Sequence, residues 1–149
     1  VLNYIEIARR DGGRVTAGGG VPEGLDRGYF VAPTVVADVA PNHTIFQEEV
    51  FGPVLSITPY DGGDDGAVEM ANNSTYGLAG GIMGSNERAM AVARRIRTGS
   101  LMINSGMYYG ADAPFGGYKM SGIGRQNGIE GFEQHLQTKT IGYPIESAQ

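Results

Sequence analysis

Apolar and polar residues follow one another along this chain in two rhythms, and the switches between them divide it into short elements. Val1, Leu2, Ile5 and Ala8 recur at helical spacing, Arg9 and Arg10 follow, and Gly12-Gly13 interrupt, which predicts a helix from the first residue. Arg14 to Ala17 then reads as a short strand running into Gly18-Gly19-Gly20. Tyr29 to Val39 is rich in aromatic and β-branched residues but is broken by Pro33, so it predicts two edge-like strands or one bent strand. Val54 to Tyr60 predicts another strand. Asp64 or Asp65 is placed to cap a helix through Asn73, carried by Ala67, Val68, Met70 and Ala71.

The second half keeps the same alternation. Leu78 to Met83 predicts a glycine-containing strand. Asn86 to Thr98 predicts a helix capped by Ser85 or Asn86 and ended by Gly99, with Ala89, Met90, Val92, Ala93 and Ile96 facing inward. Leu101 to Ile103 follows at once as an apolar strand. Such alternation indicates an α/β fold with a mostly parallel sheet. Gly124 to Gln137 predicts a further helix that buries Ile129, Phe132 and Leu136. Thr138 to Ile145 reads as an extended stretch with no evident partner in the chain. A lone strand exposes unpaired backbone groups, and pairing with another subunit would satisfy them.

Composition narrows the function classes. With 149 residues, 41% hydrophobic and 18% charged, the chain has the make-up of a soluble globular protein. The net charge of −5 and the scatter of its 11 basic residues argue against a nucleic-acid surface. No apolar run approaches the roughly 20 residues that span a bilayer, and no secretory signal is visible, so the expectation is a cytoplasmic chain. There is no cysteine, hence no disulfide and no thiolate metal site. His43 and His135 lack ligand spacing, so no metal site is expected. The 25 glycines exceed the ~10 expected at average usage and cluster at the ends of apolar runs, where tight turns need them.

Two segments carry candidate chemistry. In Glu48-Glu49-Val50-Phe51-Gly52-Pro53 the adjacent carboxylates point opposite ways on an extended chain, which disfavours a shared-proton pair. The segment fits a polar loop with an apolar plug. The alternative is a ligand wall, because Phe51 lies two residues from Glu49 on the same side, and a carboxylate beside an aromatic face suits a ribose diol and a flat heterocycle. The second segment follows the strand Leu101 to Ile103, and loops at the carboxyl ends of such strands commonly line crevices. Its aromatic residues, including Tyr108, Tyr109 and Phe115, fit either a cover for the core or a pocket wall. Gly116 and Gly117 read as close-packing positions, and Lys119 as part of a turn. Gly122 to Gly128 has the spacing GxGxxxG, which is not a dinucleotide fingerprint.

Taken together, Glu48 to Pro53 and Pro114 to Arg125 closely resemble the C-terminal part of the aldehyde dehydrogenase superfamily, and the resemblance runs from Val1 to about Ile145. It implies the C-terminal portion of a catalytic domain over residues 1–137, then an oligomerisation strand and tail over 138–149. It implies that Glu49 and Phe51 bind the nicotinamide-ribose end of NAD or NADP, and that Met107, Tyr109 and Phe115 shape the pocket for a small-molecule aldehyde. It also implies a homo-oligomer joined through Thr138 to Ile145. The family's cysteine nucleophile, base glutamate and nucleotide-binding domain all precede this region, so no catalytic residue is expected here and the chain alone is expected to be inert. Two other readings stay open: a non-catalytic assembly module, and a small ligand-binding domain that keeps the Glu49/Phe51 surface without chemistry.

Overall fold

The structure is a computed structural model that describes residues 1–25, 27–106 and 108–144. The chain divides into two compact units. One comprises Val1–Thr75 and Ser85–Arg97, the other Tyr76–Gly84 and the residues from Thr98 onward. Among the described residues no helix is long and apolar enough to cross a membrane.

The first unit opens with α1 (Leu2–Arg10), followed by β1 (Arg14–Ala17), β2 (Thr34–Ala37), α2 (Thr44–Gln47), β3 (Val54–Ser56), α3 (Gly63–Asn72) and α4 (Asn86–Ala93). Its sheet has the order β1-β2-β3, with β1 antiparallel and β3 parallel to the central strand. Ile5 and Ala8 are the buried residues of α1, one helical turn apart. Ala8 joins Val36, Val39 and Ile45 in the core, and Val15, Phe46, Val50 and Val54 pack around them. The Gly12-Gly13 stop is where the sequence put it. Gly12 takes φ +103°, and a Cβ at Gly13 would lie 2.8 Å from Val36 and 3.0 Å from the Ala8 carbonyl oxygen, so the helix must end on a residue without one.

Several expected boundaries move, each for a local reason. The stretch Tyr29 to Val39 yields only β2, because Pro33 has no N–H for a ladder and Ala32 donates to Gly20 instead. Val54 to Tyr60 pairs as a strand only through Ser56. Its bonding to the β2 segment continues to Ile57, but Asp38 turns β2 away at φ +60° and Pro59 cannot donate. Neither Asp64 nor Asp65 caps α3, since Gly62 occupies that position. Both carboxylates sit in the first turn, favourably placed toward the helix N-terminus; Asp64 binds Arg88 of α4 and Asp65 binds Arg95 just beyond it, at 2.7 Å each. The Arg88 guanidinium holds the Asp64 carboxyl below the ordinary aspartate range. Helix α4 itself is shorter than expected. Beyond Ala93 the chain continues in tighter turns as far as Ile96, and Met90 is exposed where an inward position was expected.

In the second unit β4 (Ala79–Ile82) and β5 (Ser100–Ile103) form a parallel pair in register. With the β2–β3 ladder this makes two of the three strand pairings parallel, the mostly parallel α/β arrangement that the alternation predicted. A 3₁₀ turn (Lys119–Ser121) opens on Lys119 at φ +55°, and α5 (Gly128–Glu133) follows. The glycines of the Gly116-Gly117 segment are close-packing positions: a Cβ at Gly116 would overlap the Gly124 carbonyl oxygen, and one at Gly117 would come within 2.6 Å of Ser121.

The helix expected over Gly124 to Gln137 is only six residues long, because Gln126 is committed to a bridge with Phe115 and Asn127 takes φ +63°. Its expected buried face is not buried. Ile129, Phe132 and Leu136 are 72%, 64% and 58% exposed, while Gly131 turns inward against the Gln126 backbone. Residues 138–144 are exposed and form no helix or strand.

Two substitutions test this packing by urea unfolding. Thr34 is buried; its hydroxyl accepts the Gly19 N–H at 2.9 Å and donates to the Ala32 carbonyl at 2.7 Å. Thr34→Val keeps the shape and strands both groups, so it should cost about 1–3 kcal/mol. Gly99→Ala would drive a methyl into the Gly116 carbonyl and should cost about 1–3 kcal/mol. A midpoint unchanged in either variant contradicts the corresponding contact.

Candidate functional site

The segment Glu48 to Pro53 links α2 to β3 and has its spine in the core. Ile45 precedes it, Val50 in its middle packs against the core cluster, and Val54 follows it into β3. Glu49 and Phe51, on either side of the anchored Val50, are both exposed. The backbone is fixed at both ends, by the Glu48 N–H on the Thr44 carbonyl at 2.9 Å and by the Thr34 N–H on the Pro53 carbonyl at 2.8 Å.

Glu49 and Phe51 line one cleft of about 400 Å³, together with Ile45, Glu48, Val50, Gly52, Val54 and Ser56. The two carboxylates differ in occupation. Glu48 accepts a hydrogen bond from the Tyr4 hydroxyl at 2.7 Å. The Glu49 carboxylate has no hydrogen bond or ion pair among the described residues. Phe51 is 86% exposed and takes φ +50°, a left-handed conformation that is a genuine outlier for a bulky residue. Strain of this kind concentrates where a side chain must be presented in one direction. Nothing in the sequence announces it, because the usual marker of positive φ is glycine. Tyr4 was missed as well: it stands on α1, remote in sequence, and only the fold brings its hydroxyl to Glu48.

The second candidate site lies in the other unit. Asn104 follows β5 at φ +54°, a conformation Asn tolerates better than most residues. Its side chain accepts the Gly84 N–H at 2.9 Å and donates to the Gly84 carbonyl at 2.7 Å, pinning together the loops that leave the carboxyl ends of β4 and β5. Tyr109 and Phe115, both expected to line the pocket, are brought into an edge-to-face pair with ring centroids 5.2 Å apart and planes at 75°. Phe115 and Gln126 exchange two backbone hydrogen bonds at 2.7 Å, and the Tyr109 hydroxyl lies 3.3 Å from the Gln126 side-chain oxygen. The neighbouring Tyr108 hydroxyl donates to Asp112 at 2.7 Å, which raises the tyrosine's pKa and lowers the aspartate's. Met107, also expected in this wall, lies outside the described residues. Among the described residues no group of acidic or histidine side chains is arranged to hold a metal.

Comparison with known proteins agrees with these signatures. The model of the aldehyde dehydrogenase family matches residues 1–141. Aldehyde dehydrogenase 1 of Tanacetum cinerariifolium is 43% identical over 146 residues, which cover 97% of this chain and 29% of that protein. Betaine aldehyde dehydrogenase of Brucella melitensis is 42% identical over 144 residues, covering 95% and 29%. Among solved structures, an aldehyde dehydrogenase of Mycobacterium tuberculosis complexed with NAD+ superposes with a TM-score of 0.89 at 46% identity, over 99% of this chain and 30% of that one. Betaine aldehyde dehydrogenase of Staphylococcus aureus in complex with NAD+ gives a TM-score of 0.88 at 39% identity, over 93% and 28%. The chain therefore spans less than a third of the length of these relatives. Its sequence, its fold and its two signature segments make it a member of the aldehyde dehydrogenase family.

Proposed function

We propose that this chain works as part of an NAD-dependent aldehyde dehydrogenase, in which it supplies the wall under the nicotinamide-ribose end of the cofactor and one side of the aldehyde pocket. The observation that carries this reading is a Glu49 carboxylate without a partner among the described residues beside an exposed Phe51 ring on one cleft. That donor set fits the group. A carboxylate accepts hydrogen bonds from a vicinal diol, and a phenyl face packs against a flat heterocycle. The named structural relatives that hold NAD+ support that cofactor.

Bound NAD+ supplies the hydride acceptor of such a reaction. The chain's own residues bind and orient: Glu49 holds the ribose, Phe51 limits where the nicotinamide lies, and Tyr109 with Phe115 offers an apolar, aromatic surface to an aldehyde of hydrocarbon or ring character. The thiolate nucleophile, and the glutamate that activates water to release the acid from its thioester, belong to the rest of the complete enzyme. On this reading the 149-residue chain alone turns over no aldehyde.

The exposed terminal stretch supports a second role, in assembly. Ile141 and Tyr143 stand exposed on a segment outside any helix or strand, and strand pairing with another subunit would cover them and satisfy their backbone groups. We assign residues 138–144 to an interface between copies.

Two measurements check the reading. In the full-length protein carrying this sequence, Glu49→Gln should weaken NAD+ binding roughly ten-fold or more, since bonds to a charged acceptor are the strong ones. Titration showing unchanged affinity and unchanged turnover would remove Glu49 from the site. Replacing both Ile141 and Tyr143 by Asp should shift the light-scattering mass toward a smaller species. An assembly of unchanged mass would place the interface elsewhere.

A further inference from the structure

The loop that carries Glu49 and Phe51 is fixed at its two ends by backbone hydrogen bonds and in its middle by Val50 packed on the core. Two further contacts reach the loop from helix α1 and from Val1, the residue that caps its start. At the near side of Phe51, the Tyr4 hydroxyl donates to Glu48 at 2.7 Å, a short charge-assisted bond between residues 44 positions apart. At the far side, Val1 lies against Gly52 so closely that a Cβ at that glycine would sit 2.5 Å from one Val1 methyl and 2.9 Å from the other. Between these two contacts stands Phe51 at φ +50°. A bulky residue keeps such a conformation only where its surroundings over-determine it.

Helix α1 is itself rigidly seated. Ile5, the residue after Tyr4, is fully buried, and Ala8 one turn on is part of the core cluster. Tyr4 is half-buried at the margin of that seated face. A rotation of the Glu48 peptide would swing Glu49 and Phe51 together, because only Val50 separates them. A ligand that needs a carboxylate and a ring in fixed relation is sensitive to displacements of about 1 Å.

We propose that Tyr4 is a positioning residue for the cofactor wall: by holding Glu48, its hydroxyl fixes the backbone that presents Glu49 and Phe51. This rests on the reading of the cleft as the nicotinamide-ribose site. It gives the two adjacent carboxylates separate tasks, with Glu48 turned to the fold and Glu49 to the ligand.

The test is made in the full-length protein carrying this sequence. Tyr4→Phe removes one oxygen and should raise both the dissociation constant and the KM for NAD+ about five-fold, with kcat at saturating NAD+ within about two-fold and the aldehyde KM unmoved. Glu48→Ala should match it, the double variant Tyr4→Phe/Glu48→Ala should be no weaker than either single one, and Glu48→Gln, which keeps an acceptor, should recover most of the lost affinity. Amide hydrogen exchange at Val50 to Gly52 should quicken in Tyr4→Phe whether or not cofactor is present. Wild-type NAD+ affinity in Tyr4→Phe, beside a weakened Glu49→Gln, would overturn the positioning role and leave the cofactor site standing. A silent Glu49→Gln would instead overturn the cofactor site and this inference with it, even if the exchange at Val50 to Gly52 still quickened.

Discussion

A phenylalanine held at positive φ, between a glutamate tied to one helix and a glycine pressed against the residue that caps the same helix, is the constraint on which the candidate cofactor wall depends. The left-handed conformation at Phe51 is costly for an aromatic residue, on the order of 1–3 kcal/mol, so the rest of the first unit has to supply the difference. It does so through the core cluster of Ala8, Val36, Val39 and Ile45, which packs α1 and α2 against the sheet directly behind the loop. Parallel pairing of β3 with β2 then fixes where the chain leaves the loop. Val50 points into this framework, and Glu49 and Phe51 are what remain on its outer side.

Much of this was legible in the sequence, and the parts that were not share a physical reason. The Gly12-Gly13 stop, the parallel β4 and β5 strands and the packed glycines near Gly116 follow from local rules of spacing and steric size, and the structure has them where the residues indicated. Spacing put Glu49 and Phe51 on one side and the family resemblance added Met107, Tyr109 and Phe115; Glu49 and Phe51 line one cleft, and the Tyr109 and Phe115 rings are in contact. What escaped was set by distant partners. Tyr4 meets Glu48 only through the fold, and the carboxylates of Asp64 and Asp65 bind Arg88 and Arg95, while Gly62 takes the cap position that their spacing suggested for them. Helix α5 is cut short by the Phe115–Gln126 bridge, an interaction invisible to a helical periodicity count.

The apolar residues of α5 expose the limit of periodicity from another side. Ile129, Phe132 and Leu136 recur as a buried helix face should, yet they are exposed, as are Met120 and Ile123 beside them in sequence. A pattern of hydrophobic positions records what a segment is built to bury, not where the covering surface comes from. The family relatives are more than three times as long as this chain, and the assembly proposed for residues 138–144 gives a further source of cover. The two units share one trait: short elements that leave large apolar side chains exposed, Phe51 in the first and Ile129 and Phe132 in the second.

The most direct measurement of the central claim is a crystal structure of the full-length protein carrying this sequence with NAD+ bound. The account predicts a Glu49 carboxylate oxygen within hydrogen-bond distance of a nicotinamide-ribose hydroxyl, with the Phe51 ring against the nicotinamide and Glu48 still bonded to Tyr4. A cofactor whose nicotinamide ribose lies away from Glu49, with Phe51 packed against protein instead, would contradict it.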